Sequence, residues 1–206
     1  MVDGFCVVNV TDCCAASYPE WASQRQSEAK VSTQNHSIAA TAFIAALERS
    51  GVDHFVTVPD WIQWALHARI GAGVDGIREV ICANEDQAVT TAAGLTIGGK
   101  RPVIAVQNQG LYACVNTIRA VALDARIPTV FLVGQFGREF SNFGANPAES
   151  RRNMVRLLEP VLDALAVPHW RLERPEDLAC VQTAYEQAHS QRGAAALIVG
   201  APIGWN

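Results

Sequence analysis

Glu79-Val80-Ile81-Cys82-Ala83-Asn84-Glu85-Asp86-Gln87-Ala88 changes its chemistry in the middle. The first five residues are mostly apolar and β-prone, Asn84 is a helix cap by type, and acids suit the first helical turn that follows it. A strand therefore hands over directly to a helix, read over 85–99. Gly94 inside it costs about 1 kcal/mol relative to Ala, which leaves packing compensation or a locally weak helix. The same handover recurs in both directions along the chain. Upstream, His54-Phe55-Val56-Thr57-Val58 is a β-rich run ended by Pro59, and 61–70 reads as helical. Ser37 is a candidate cap for an earlier helix in which Ala40, Phe43, Ile44 and Leu47 follow i, i+3, i+4, i+7 spacing up to Gly51. Downstream, 103–106 is a third strand, and Gly110 opens a helix to about Leu123. A fourth strand, 129–133, is continuously apolar, as a strand buried on both faces should be. A polar loop over 134–147 follows. Met154, Leu157, Leu158, Val161 and Leu165 keep a helical stripe that Pro160 interrupts, predicting a kink or two abutting helices. His169-Trp170-Arg171-Leu172 reads as a short edge-like strand, Pro175 opens a helix, and 194–199 is a last strand. This alternation predicts an α/β fold: three layers, doubly wound, a mostly parallel sheet with helices on both faces.

The composition agrees. Of 206 residues, 50% are hydrophobic and 17% charged, which excludes a disordered polymer. Residues 1–35 show no sustained period and read as an N-terminal extension, with one domain over 36–206 and no room for a second catalytic domain. The net charge of −4, with 16 scattered Lys and Arg, argues against a nucleic-acid binder. No apolar run reaches the roughly 18 residues that span a bilayer, and Met1-Val2-Asp3-Gly4 lacks a basic signal-peptide start. Cys6, Cys13, Cys14, Cys82, Cys114 and Cys180 include no C-x-x-C pair, and the adjacent Cys13 and Cys14 suit no ordinary disulfide. Reduced thiols and a cytoplasmic location are the expectation.

In open parallel sheets, ligands bind outside the carboxyl ends of the strands. Four polar or Gly/Pro-bearing loops crowd that edge: Val58-Pro59-Asp60-Trp61, Asn84-Glu85-Asp86-Gln87, Gln107-Asn108-Gln109-Gly110-Leu111-Tyr112 and Gly134-Gln135-Phe136-Gly137-Arg138-Glu139. None contains a dinucleotide or P-loop fingerprint, a zinc-ligand cluster or a G-x-S-x-G elbow, so no metal ligands are assigned. The histidines are dispersed, with His67 and His189 read as surface or helix-face residues. Glu85 stands out by position. It is either an acid complementing the helix dipole, worth about 0.3–1 kcal/mol, or a carboxyl in the strand-end crevice that shares a proton with a ligand.

Asn84-Glu85-Asp86-Gln87-Ala88, the Ala92-Ala93-Gly94 that follows, and Gln107-Asn108-Gln109-Gly110-Leu111 through Val115-Asn116 resemble the pyrimidine-binding domain of thiamine-diphosphate enzymes. The pattern is similar to that of the sulfopyruvate and phosphonopyruvate decarboxylases, whose V-P-D, A-N-E and Q-N-S-G-L…V-N motifs occur in the same order at three successive strand ends. The similarity spans roughly 37–200. It implies that Glu85 is catalytic, hydrogen-bonding N1′ of the cofactor's aminopyrimidine. Proton sharing there favours the imino tautomer that removes the thiazolium C2 proton, and the thiazolium then serves as nucleophile and electron sink. The resemblance further places Pro59, Asn108, Gln109 and Gly110 at the cofactor, and Asn116 on the matching helix. Asn116 can equally be a helix residue bonding locally.

The family holds the diphosphate through Mg²⁺ on a second domain carrying G-D-G and a downstream Asn. Gly73-Val74-Asp75-Gly76 is the only near match, and its order and position make it a turn. The resemblance therefore implies thiamine diphosphate shared with a beta subunit that carries the diphosphate and Mg²⁺ domain, in a hetero-oligomer such as α2β2 or larger. In the substrate region, Trp61 stands where the decarboxylases have Ser, and Phe136 where they have Arg before Gly. With Asp60 and Tyr112 these residues outline a substrate pocket suited to apolar or aromatic groups, with Arg138 as a candidate replacement cation. The activity implied is a lyase or decarboxylase cleaving the bond beside a carbonyl in a 2-oxo acid or α-hydroxyketone. A genuine sulfopyruvate or phosphonopyruvate decarboxylase subunit, and a non-catalytic assembly or regulatory subunit, stay open.

Overall fold

Strand β1 (His54–Thr57) is an interior strand of the sheet, and its β-branched and aromatic residues are buried from Phe55 onward. In the computed structural model, which describes residues 36–74 and 76–205, six strands form one sheet in the order β2-β1-β3-β4-β6-β5. The other strands are β2 (Arg78–Ile81), β3 (Pro102–Gln107), β4 (Thr129–Gly134), β5 (His169–Leu172) and β6 (Ala194–Val199), and every pairing is parallel. The sheet is thus wholly parallel where the sequence predicts mostly parallel. β3, β4 and β6 are buried almost throughout, whereas β2 and β5 lie at the edges with mixed burial. The extension assigned to 1–35, with Cys6, Cys13 and Cys14, lies outside the described residues, as does Asp75 of the Gly73–Gly76 segment.

Helices cover both faces. α1 (Ala40–Arg49), α2 (Trp64–Gly71) and α8 (Cys180–Gln191) bury Phe43, Leu66 and Tyr185 against Phe55, Val103, Leu132 and Leu197. On the other face, α3 (Glu85–Ile97), α4 (Asn108–Ala113), α5 (Val115–Ile118) with its π-helical continuation Arg119–Asp124, and α7 (Leu158–Ala164) bury Val89, Leu111, Ile118 and Leu162 against Val56, Ile104, Phe131 and Ile198. The short α6 (Asn153–Arg156) precedes α7. No helix among the described residues is long and apolar enough to cross a membrane.

Several local expectations shift for identifiable reasons. Ser37 is not the cap of α1: its hydroxyl donates to the Pro202 carbonyl, and the Ala40 N–H donates to the Gly204 carbonyl at 2.8 Å. A distant backbone segment therefore satisfies the helix start. The second helix begins at Trp64 rather than Trp61, because Asp60 Oδ1 accepts from Gln63 N at 3.0 Å and turns the chain first. The helix after β3 starts at Asn108, ahead of Gly110, and breaks at Cys114. The 154–165 stripe is two helices, but the break falls at Leu157. Pro160 sits in the first turn of α7, where its missing N–H costs nothing. Pro175 opens a 3₁₀ turn, Pro175–Ala179, before α8. Gly94 faces open space, with nothing within 4 Å of a Cβ added there, so no packing within the described fold offsets its helix cost.

Two features place the site. The chain leaves β2 through α3, passes over β1 and returns as β3 on its other side, making a switch point at β1. Gln107 of β3 pairs with Gly134 of β4, so the loops after these strands emerge level with each other.

Candidate active site

Asn84 is extended, and its Oδ1 accepts from Gln87 N at 2.9 Å. Gln87 reaches back, its Oε1 accepting from Ala83 N at 2.7 Å. This reciprocal cap fixes the first turn of α3 and with it Glu85, which is half-buried. Asp86, next to it, accepts from the Thr117 hydroxyl and ties that turn to α5.

The Glu85 side chain lies over Gly110. A Cβ added at Gly110 would come within 2.5 Å of Glu85 Cγ and closer still to the carboxyl group. Only a glycine leaves that space. Among the described residues no protein donor reaches the Glu85 carboxylate, so it remains available to an external nitrogen. The nearby Cys114 thiol is pushed up to about 12 by burial, and by the negative charges of Asp86 and Glu85, so it packs as a neutral group. Gly110→Ala should therefore displace the Glu85 carboxyl. The expected result is a loss of turnover of about 10² or more with an unchanged fold by circular dichroism; activity within threefold of the parent would show that Glu85 can move without consequence.

Asn108 is fully buried and its side chain is fully used. Nδ2 donates to the carbonyls of Phe136 at 3.0 Å and Met154 at 2.9 Å, while Oδ1 accepts from Gln109 N at 3.0 Å. It thus welds the loop after β3 to the loop after β4 and to α6. The Tyr112 hydroxyl donates to the same Met154 carbonyl at 2.7 Å, and Gln109 Nε2 lies 3.7 Å from Met154 Sδ. Met154 is therefore a wall of the crevice that motif reading missed. No local signal marks it, because it lies more than 40 residues from its partners. Asn116 is exposed and accepts from the neighbouring Arg119 guanidinium.

The loop after β1 goes elsewhere. Asp60 is 5% exposed and lies against Gly134, where an added Cβ would be 2.6 Å from its Oδ2. It accepts from Gln63 N and, at 2.6 Å, from Gln63 Nε2, which also reaches the Val106 and Leu132 carbonyls. Burial raises the Asp60 carboxyl above its ordinary range. The Asp60 N–H donates to His67 Nε2 at 3.1 Å. His67 is thus a buried helix residue, not a surface one, and burial lowers it to about 4. His189 is exposed.

That cluster predicts a pH dependence. His67 binds its proton less readily folded than unfolded, so its stabilisation is complete above pH 6.5 and falls as pH drops toward 4, by on the order of 3 kcal/mol. Asp60, whose raised pKa favours the protonated form in the fold, changes stability in the opposite sense. Urea unfolding of the parent and of His67→Gln isolates the histidine: the variant should lose much of the stability decline between pH 6.5 and 4, and equal declines would show that the ring protonates without cost.

The pocket aromatics are not gathered together. Trp61 is 67% exposed, Phe136 packs against the core under α1, α2 and α8, and Tyr112 packs on the opposite face. Pro59 sits exposed at the rim. Arg138 is not a mobile cation: its guanidinium pairs with Glu173 and donates to Gln135 Oε1, Asn142 Oδ1 and the carbonyls of Asn142 and Ala145. The structure thus brings Glu85 and Gly110 together, and links Asn108, Gln109 and Tyr112 around Met154.

Two comparisons bear on this arrangement. Residues 38–157 match the family described as "Thiamine pyrophosphate enzyme, N-terminal TPP binding domain". The chain is also 27% identical, over 136 residues, to the sulfopyruvate decarboxylase subunit alpha of Methanocaldococcus jannaschii; the alignment covers 66% of this chain and 77% of that protein.

Proposed function

Because the chain belongs to the thiamine pyrophosphate enzymes through their N-terminal TPP binding domain, we propose that it is the alpha, pyrimidine-binding subunit of a two-chain carbon–carbon lyase or decarboxylase. The carrying observation is Glu85, half-buried over Gly110 at the switch point, with no protein donor on its carboxylate among the described residues. A carboxylate held there suits a ring nitrogen that shares a proton, so the residues fit the aminopyrimidine of thiamine diphosphate. When bound, that cofactor supplies the nucleophile and electron sink for cleaving a bond beside a carbonyl. Glu85 holds the proton, Gly110 makes room for the carboxyl, and Asn108 and Met154 keep the two neighbouring loops in register. Pro59 and Gln109 form the rim toward the cofactor.

The substrate class is a 2-oxo acid or α-hydroxyketone. An apolar or aromatic substituent is supported by the exposed ring of Trp61 alone, since Asp60, Tyr112 and Phe136 are not gathered around it. A sulfopyruvate-type substrate is the second reading, favoured by the similarity to a sulfopyruvate decarboxylase alpha subunit. That relative's designation as an alpha subunit also supports a partner subunit; the proposed partner is a beta chain that would hold Mg²⁺ and the diphosphate, in a hetero-oligomer such as α2β2. The domain is assigned to 36–206, with 1–35 as an extension to it.

Calorimetry with thiamine diphosphate and Mg²⁺ tests this. The chain alone should bind at least about 10²-fold more weakly than the co-expressed two-chain complex, since the partner would supply the charge-neutralising contacts to the diphosphate. Tight binding by the chain alone would refute the shared site.

A further inference from the structure

The carboxyl edge of the sheet is rich in arginine, and most of these side chains are already committed. Arg138 is caged by Glu173 and four other acceptor atoms, Arg156 donates to the Ser150 carbonyl and to Asn153, and Arg171 is paired with Glu159. Arg152 differs. It is exposed, and among the described residues its guanidinium makes no hydrogen bond and no ion pair. Its backbone, by contrast, is pinned. Glu139 accepts from Ser150 Oγ at 2.7 Å and from Arg151 N at 2.9 Å, and Arg152 N donates to Ser150 Oγ at 3.1 Å. The neighbouring Glu139 carboxylate thus accepts through both oxygens, and Arg152 acts on it as a nearby positive charge without a hydrogen bond among the described residues.

Its position is what matters. A Cβ added at Gly137, in the loop after β4, would lie 3.6 Å from Arg152 Cδ and 2.5 Å from Met154 Sδ. Met154 Sδ is also the neighbour of Gln109 Nε2. Gln109 precedes Gly110, over which Glu85 lies. The stem of Arg152 therefore lies beside the loop after β4, next to Met154, whose sulfur borders Gln109 one residue before Gly110.

We infer that Arg152 is the specificity-determining residue that binds an anionic substituent of the substrate, a sulfonate or carboxylate remote from the bond that breaks. This rests on the reading of the Glu85 crevice as an active site, with the sulfopyruvate-type substrate rather than the apolar one. A planar guanidinium engages such groups through two parallel hydrogen bonds. The remote group is specified by energetics. A cation on a carboxylate that departs as neutral CO₂ would stabilise the ground state more than the transition state and would slow the reaction. A cation on an anion that survives unchanged stabilises both equally, lowering KM and leaving kcat alone.

The test uses the co-expressed two-chain complex. Arg152→Gln should raise KM for sulfopyruvate roughly 10- to 100-fold, the loss of a charge-assisted pair, with kcat within about threefold and pyruvate unaffected. Arg152→Lys should recover part of the loss. Sulfoacetate, which has no 2-oxo group and cannot be cleaved, gives a readout free of catalysis. By calorimetry its affinity should fall about tenfold or more in Arg152→Gln and stay at the parent value in Arg151→Gln. The inference is overturned if the parent fails to bind sulfoacetate, if Arg152→Gln binds it as the parent does, or if Arg151→Gln loses as much. Absence of turnover on both acids, or full activity in Glu85→Gln, would instead count against the catalytic reading, and the sulfoacetate arms would still decide Arg152.

Discussion

Glu85→Gln should lower turnover of the two-chain enzyme by about 10²–10⁴ while the complex still assembles. Glutamine keeps the shape of the side chain and its fit over Gly110, but its amide cannot take up a proton as a carboxylate does. The reciprocal Asn84 and Gln87 cap is untouched, so α3 should keep its first turn. The remaining effect is on chemistry. Activity assays beside size-exclusion chromatography separate the two contributions. Near-normal turnover would make Glu85 a helix-dipole acid and favour an assembly or regulatory role for the chain. Loss of assembly would place the carboxylate in an interface.

Replacing Arg138 should give the largest change in stability. Its side chain is 1% exposed, and its partner Glu173 is 14% exposed. Removing one member of a buried pair leaves the other charge uncompensated, at a cost of about 3–5 kcal/mol. Arg138 also donates to Asn142 and Ala145, so it holds the turn that returns the chain from β4 toward Ser150. Arg138→Met should therefore lower the melting temperature by about 10 °C. Arg138→Lys should fall between, because an ammonium cannot span the fork of acceptors. The double variant Arg138→Met, Glu173→Gln should recover part of the loss, since it removes the stranded charge. A shift of less than 2 °C in the single variant would mean the loop is held by other contacts. The same loop carries Phe136 and Gly137, so its loosening should also weaken the Asn108 bridge and reduce activity.

Much of the fold was legible because parallel strands buried on both faces announce themselves. The runs containing Val56, Ile104, Phe131 and Ile198 are β-prone and bounded by Pro, Gly or Asn, and alternation with helices dictated the layering. Asn84 was legible as a cap because a cap is a local interaction. Ser37 was misread for the opposite reason: the Gly204 carbonyl that completes α1 comes from the far end of the chain. The break at Leu157 reflects packing of two short helices, and proline in a first turn gives no instruction to break there. The placement of Glu85 in the first turn of α3 was legible because a strand, a cap and an acid occur in sequence. Its relation to Gly110 shows only once α3 and α4 pack. Met154 carries no local signature, and it meets Asn108, Gln109 and Tyr112 because the turn held by Arg138 and Glu139 brings 150–154 back to the end of β4. Arg138 read as a spare cation because sequence shows its charge and conceals its five acceptor atoms.

Hydrogen–deuterium exchange at C2 of thiamine diphosphate bound to the two-chain complex needs no substrate, and so reads the role of Glu85 most directly. The parent complex should exchange much faster than free cofactor, and Glu85→Gln should slow exchange by about 10² or more. Equal exchange in the two complexes, with cofactor bound in both, would contradict the assignment of Glu85 as the residue that activates the cofactor.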